Sequence, residues 1–251
     1  MRTLVRALLP ASVRRTARRA HRDLVLRRAL DAAQELAGTT EALPLPLARR
    51  LCYGWGNERF SVPPDFLAAI WAAAHRTCGP ILECGSGLSS IVLGLIAERR
   101  GVRGWSLEHD ADWARRTRAT LDLLGITQLE LLHARLRDYG GFEWYSDSAW
   151  EARPLPAGFA LVVCDGPPGL TTRGGRVGLV PVMCERLLPG AVILLDDVER
   201  PGEREVVRAW VRATGATVAV RGDERLFAEL VVPARGVPAS TRGLGRPAIA
   251  L

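Results

Sequence analysis

The segment Glu83-Cys84-Gly85-Ser86-Gly87-Leu88-Ser89-Ser90 carries a chemical signal when taken together with Glu108. Two glycines with one residue between them let a backbone turn sharply and come close to a ligand, and a helix opening behind them presents free N–H groups. Glu108 follows 21 residues after Gly87. A carboxylate at that remove can accept hydrogen bonds from both ribose hydroxyls of a nucleoside cofactor. A dinucleotide fingerprint calls for a third glycine three positions after Gly87, where Ser90 stands. Glu83, just before the loop, would repel a diphosphate and favours a cation or an ammonium instead. S-adenosylmethionine has both, a sulfonium and an α-amino group.

A second constellation is Asp165, Asp196 and Asp197. Three carboxylates converging on one pocket edge suit Mg2+ or Mn2+, which would lower the pKa of an acceptor hydroxyl and align it. The same carboxylates can also cap a helix or hold a polar substrate directly. Without a metal, Asp165 is the first candidate for general base. Between the two constellations lies Tyr139 to Trp150, where Phe142, Trp144, Tyr145 and Trp150 could wall a flat or sugar-like acceptor or pack a connection onto a sheet. Tyr53, Trp55 and Asn57 invite the same two readings. His21, His75 and His133 stand in no triad-like context and read as structural or surface residues.

The elements that must position these residues follow a regular pattern. Short β-like runs at Ile81 to Cys84, Gly104 to Glu108, Gln128 to His133, Phe159 to Asp165 and Ala191 to Asp196 alternate with helical runs at Ser89 to Arg100, Asp112 to Leu124, Arg176 to Leu188 and Glu203 to Thr214. That alternation predicts a doubly wound α/β fold, a mostly parallel sheet covered on both faces, with every candidate residue just past a strand's carboxyl end. Ala216 to Val220 and Arg225 to Val232 predict an antiparallel C-terminal hairpin at the sheet edge. The expected organisation is a basic amphipathic helical extension over 1–37, loop and helix over 38–80, the core over 81–232 and a loose tail over 233–251.

These motifs resemble the class I S-adenosylmethionine-dependent methyltransferases. ECGSGLSS is similar to that family's acidic-x-Gly-x-Gly loop, SLEHD to its second-strand acidic motif, and VVCDGPPG and ILLDD to the ends of its fourth and fifth strands, across residues 63 to 232. The resemblance implies a seven-stranded Rossmann-like sheet and methyl transfer to a small or polar acceptor, most naturally oxygen. It places Gly85, Ser86 and Gly87 against the methionine part, Glu83 at the amino group, Glu108 at the ribose and His109 beside the adenine. Ser89 replaces the family's third glycine, and Ala134-Arg135 stand where an acidic residue often meets the adenine. The three aspartates resemble the arrangement in cation-dependent O-methyltransferases of catechol type, which usually carry Asn at the position of Asp197 and a nearby Lys. Asp165-Gly166-Pro167-Pro168 also resembles, poorly, the Asp-Pro-Pro-aromatic loop of amino methyltransferases. N-methylation, other nucleoside-cofactor chemistry and a non-catalytic binding protein remain as alternatives.

Composition narrows the classes further. The 251 residues are 48% hydrophobic and 24% charged, as in an ordinary globular protein. No apolar run approaches the ~18 residues of a spanning helix. All 34 basic residues are Arg, so no Lys can act as base or Schiff-base nucleophile. Nine arginines against Asp23 and Asp31 give residues 1–31 a net +7, and the rest of the chain is neutral, which does not favour nucleic acid as partner. Val13, Ala17, Ala20 and Leu24 form one stripe of that segment and Arg14, Arg15, Arg18, Arg19 and Arg22 another. It reads as a packed helix, a transit peptide or a peripheral contact with acidic lipid. Five cysteines without CxxC or CxxH spacing signal neither disulfides nor zinc and suit a reducing, cytoplasmic setting.

Overall fold

A computed structural model describes residues 10–57, 62–151, 153–169, 171–223 and 225–234. The start of the basic segment, residues 1–9, and the expected loose tail from 235 onward lie outside the described residues.

The sheet has seven strands: β1 (Ile81–Cys84), β2 (Gly104–Glu108), β3 (Leu129–His133), β6 (Phe159–Cys164), β7 (Leu187–Leu195), β8 (Thr217–Arg221) and β9 (Phe227–Val231). Their order is β3-β2-β1-β6-β7-β9-β8, and β4 (Leu136–Asp138) pairs with β5 (Glu143–Tyr145) in a separate two-stranded sheet. Strands β3, β2, β1, β6 and β7 run parallel, while β9 is antiparallel to both β7 and β8. The strand order reverses between β1 and β6. At such a point two crossovers leave the sheet on opposite faces, and a crevice opens above the carboxyl ends.

Alternation along the strands builds two cores. Ile81, Leu161, Val163 and Leu194 face one layer, and Leu82, Cys84, Val162, Cys164, Ile193 and Leu195 face the other. Burial on both faces is why these strands read as continuous apolar runs. The first layer holds α1 (Ala11–Leu36), α2 (Leu45–Trp55), α3 (Pro64–Arg76), α4 (Leu88–Arg100) and α5 (Ala111–Leu123); the second holds β4, β5, α6 (Ser148–Glu151), α7 (Leu179–Met183) and α8 (Pro201–Thr214).

Two expectations need correction. The turn-rich stretch contains a helix, α2: Pro46 sits in its first turn, where a missing N–H costs nothing. Its Gly54 lies so close to α1 that a Cβ there would stand 2.7 Å from the Leu26 Cα, so the glycine is a packing contact rather than a turn. The single helix expected over Arg176 to Leu188 is broken into a 3-10 turn (Gly175–Gly178), the short α7 and a second 3-10 turn (Cys184–Arg186), and Leu187 already belongs to β7. Gly174, Gly175 and Gly178 weaken helix there, and Gly178 is pressed on Trp144, whose Cγ would lie 2.4 Å from an added Cβ.

The C-terminal half of α1 packs through Ala29, Leu30 and Ala33, whereas Val13 and Leu24 remain 45% and 48% exposed. Thus α1 is a packed helix at one end and an exposed basic rod at the other. Among the described residues no helix is long and apolar enough to cross a membrane.

Candidate active site

The glycine loop is held from both sides. Gly85 N–H donates to the Leu107 carbonyl (2.8 Å), and the N–H groups of Asp165 and Gly166 both donate to the Cys84 carbonyl (2.9 and 2.7 Å). Gly85 has φ +91°, and a Cβ there would lie 2.7 Å from the Gly166 nitrogen. The loops after β1 and β6 therefore touch backbone to backbone, which only glycine allows. Gly87 opens onto Trp113, whose indole N–H donates to the Ser86 carbonyl (2.5 Å).

Glu83 is fully buried beneath this loop. Its Oε2 accepts from the hydroxyls of Ser90 and Ser106, both at 2.5 Å, and Ser90 Oγ in turn accepts from Gly87 N–H (2.9 Å). Ser90 thus ties the carboxylate to the loop, a role the glycine of a dinucleotide motif could not fill. Burial pushes the Glu83 carboxyl up to about 7, against the pull of the Ser106, Ser89 and Ser90 hydroxyls, and the nearby Asp165 charge adds to the rise. Its Oε1 is buried without a hydrogen-bond partner among the described residues. A buried carboxylate oxygen left free under a glycine loop has the chemistry to accept an ammonium group.

Glu108 ends β2 and is also buried. Oε2 accepts from Ser86 N–H (2.9 Å) and Ser86 Oγ (3.0 Å), while Oε1 accepts from Asp110 N–H (2.8 Å) and lies 3.1 Å from His109 Nδ1. Burial raises its pKa, but the hydrogen bonds from His109, Asp110 and Ser86 outweigh that and hold it below the ordinary value. His109 is raised in return, chiefly by its hydrogen bond to Glu108. Glu108 therefore already anchors the loop, and a ribose would have to share or displace these donors. The His109 ring lies 6.5 Å from that of Tyr145. Tyr145 is fully buried, its hydroxyl has no hydrogen-bond partner among the described residues, and a Cβ on Gly166 would sit 2.7 Å from it. Of the aromatic segment, Tyr145 is thus the side chain that reaches the junction of the two loops.

Asp165, Asp196 and Asp197 do converge: one oxygen from each falls within 4.8 Å of the others. Arginines, missed in the sequence, share the cluster. Arg176, 2% exposed, donates from Nη2 to Asp165 Oδ1 and Asp197 Oδ2 (both 3.0 Å) and to the Asp165 carbonyl (2.6 Å), and from Nη1 to the Asp196 carbonyl (2.8 Å). Arg225 Nη2 donates to Asp196 Oδ2 (2.8 Å) and Asp197 Oδ1 (2.5 Å), and Arg200 Nη1 lies 2.9 Å from Asp197 Oδ2. Asp165 Oδ1, Asp196 Oδ2 and both oxygens of Asp197 are thus held by guanidinium groups, while Asp196 Oδ1 is buried with no hydrogen-bond partner among the described residues, so the expected Mg2+ or Mn2+ would have to displace these donors. Asp197 occupies the left-handed region (φ +63°), a strained placement held by these partners. Its carboxyl stays below the ordinary value because Arg176 and Arg225 outweigh burial, while burial and Asp165 push Asp196 up to about 8. Asp165 is the most open of the three, with 24% of its side chain exposed, and is raised by burial against the pull of Arg176. Arg176 carried no spacing signal, since it contacts residues 11 to 27 positions away.

The remaining histidines each make a polar contact. His75 Nδ1 lies 3.0 Å from the Trp71 carbonyl, His133 Nε2 3.1 Å from the His109 carbonyl, and His21 Nδ1 3.1 Å from Tyr53 Oη. Trp55 is buried beneath Arg116, which is sandwiched between Trp55 and Trp113 at 4.7 and 4.8 Å. All five cysteines are free.

No family model and no curated protein matches the sequence. Solved structures do resemble it. A precorrin-6y C5,15-methyltransferase from Geobacter metallireducens GS-15 matches with TM-score 0.51 at 14% identity, over 70% of this chain and 91% of that one. A protein of Klebsiella pneumoniae provisionally assigned as an O-methyltransferase matches with TM-score 0.47 at 19% identity, over 93% of this chain and 96% of that one. An RNA methyltransferase from Salinibacter ruber in complex with S-adenosyl-L-homocysteine gives TM-score 0.45 at 18% identity, over 70% and 95%. The seven-stranded sheet with its antiparallel closing hairpin is the Rossmann-like fold of S-adenosylmethionine-dependent methyltransferases.

Proposed function

We propose that this chain transfers a methyl group from S-adenosylmethionine to an oxygen of a small or polar acceptor. The observation that carries the reading is the placement of two buried carboxylates, Glu83 and Glu108, on either side of the Gly85-Ser86-Gly87 loop, with Asp165 on the loop that touches it. In this reading Glu83 Oε1 receives the cofactor's ammonium group, Glu108 the ribose hydroxyls, and His109 borders the base. Bound there, S-adenosylmethionine supplies a methyl group made electrophilic by its sulfonium.

Asp165 faces the same edge with a raised pKa and an open oxygen, and it takes the proton of the acceptor hydroxyl as that oxygen attacks. Arg176 fixes the orientation of that carboxylate through Oδ1. The apolar packing of Cys84, Cys164 and Tyr145 around the loop junction keeps the transfer dry, which favours collapse of the sulfonium charge. Nothing in this scheme passes through a metal ion.

A thermal unfolding scan with S-adenosylmethionine, S-adenosylhomocysteine or NAD tests the cofactor. A ligand at a hundredfold over its Kd adds roughly 2.7 kcal/mol of stability, readily seen as a rise in Tm. A rise with the first two ligands alone is expected. No rise with either, or a rise with NAD alone, defeats the reading. Asp165→Asn separates binding from chemistry: the Tm rise should persist while methyl transfer in an acceptor screen disappears.

A further inference from the structure

We propose that Arg176 and Arg225 stand in the place of a divalent cation among Asp165, Asp196 and Asp197, so that this chain holds its acidic cluster together with guanidinium groups and binds no metal there. Three features carry the inference.

The first is position. Arg176 Nη2 bridges Asp165 Oδ1 and Asp197 Oδ2 at 3.0 Å each, and Arg225 Nη2 bridges Asp196 Oδ2 and Asp197 Oδ1 at 2.8 and 2.5 Å. Every one of the three carboxylates is engaged, and Asp197 by both arginines. The second is burial. The Arg176 side chain is 3% exposed, as is that of Asp197, so Arg176 is not a surface side chain that swings aside at little cost. Its Nη1 is also fixed by the Asp196 carbonyl at 2.8 Å and lies 3.5 Å from Glu203 Oε1. Moving it would strand several buried acceptors at once.

The third is charge. Asp165, Asp196, Asp197 and Glu203 face Arg176, Arg200 and Arg225, so the cluster is within one charge of neutral. Two further positive charges would reverse its sign and press against two guanidinium groups at hydrogen-bond distance. Mg2+ also demands near-octahedral oxygens at about 2.0 to 2.1 Å, whereas four of the six carboxylate oxygens here already accept from guanidinium N–H donors.

The test is a Mn2+ titration of the full chain, freed of metal by chelation and followed by the electron paramagnetic resonance signal of free Mn2+. The wild-type protein should leave that signal as it is in buffer. Uptake of about one equivalent, lost in Asp197→Asn, would overturn the proposal. Arg225→Met removes the less buried guanidinium and leaves oxygens of Asp196 and Asp197 unpaired, so it should take up Mn2+ where the wild type does not. An Arg225→Met protein that melts as the wild type does yet takes up none would show that the arginine is not what excludes the ion, and would equally overturn it. Because the readout is Mn2+ alone, its failure is distinct from a failure of the cofactor scan.

Discussion

Glu83→Gln probes the buried carboxylate beneath the loop. In the free protein burial lifts Glu83 from an ordinary 4.5 to about 7. A carboxyl whose folded pKa is raised binds its proton more tightly when folded. Its contribution to stability is therefore fully present below about 4.5 and is lost as pH rises to about 7, a change on the order of 3 kcal/mol for a fully buried group. Cofactor binding works in the opposite sense, because only the ionised carboxylate pairs with an ammonium group. With a pKa of about 7, roughly one molecule in eleven is ionised at about pH 6 and three in four at about pH 7.5. The Kd for S-adenosylhomocysteine, measured by calorimetry, should therefore tighten about eightfold over that interval, which stays below the ~7.8 pKa of a free α-amino group. Glu83→Gln should bind more weakly at the upper pH, lose that slope, and lose the fall in stability between pH 4.5 and about 7. His109 is also titratable, raised from its ordinary value chiefly by its hydrogen bond to Glu108, but the Gln variant retains this histidine, so any slope left in the variant is not owed to Glu83. A flat Kd in the wild type, or an equal slope in both proteins, would refute the placement of the amino group on Glu83.

Three further outcomes are expected. Gly85→Ala adds a Cβ at φ +91° that meets the Gly166 nitrogen at 2.7 Å, and urea unfolding should show a loss of roughly 2 to 4 kcal/mol from left-handed strain and overlap; a loss under ~0.5 kcal/mol would mean the two loops are not locked together. Glu108→Ala should weaken cofactor binding by about 1 to 3 kcal/mol in calorimetry, and an unchanged affinity would remove the ribose assignment. Tyr145→Phe deletes a buried hydroxyl that has no hydrogen-bond partner among the described residues, so the free protein should melt at the same or a higher temperature; a clear drop in Tm would reveal a hydrogen bond that the hydroxyl makes in solution.

The division between sequence and structure follows the range of the interactions. Strand identity was legible because apolar runs such as Leu161-Val162-Val163 need neighbours on both faces whatever those neighbours are. The loop at Gly85 and Gly87, and Glu108 at the end of the second strand, were legible because their spacing within one βαβ unit is itself the constraint. Ser106 was not: its role on Glu83 depends on parallel β1–β2 register, which puts Glu83 beside Ser106. The helix Leu45–Trp55 was hidden because its prolines and glycines also spell turns, and contact with α1 decided between the two. Asp165, Asp196 and Asp197 could be read as gathering at neighbouring strand ends, but not what would neutralise them. Arg176 arrives on a glycine-rich segment whose path is set by packing on Trp144, and Arg225 from the turn before β9. Charge in a buried cluster is balanced by whichever group the fold brings within hydrogen-bond reach, and that choice is made in three dimensions.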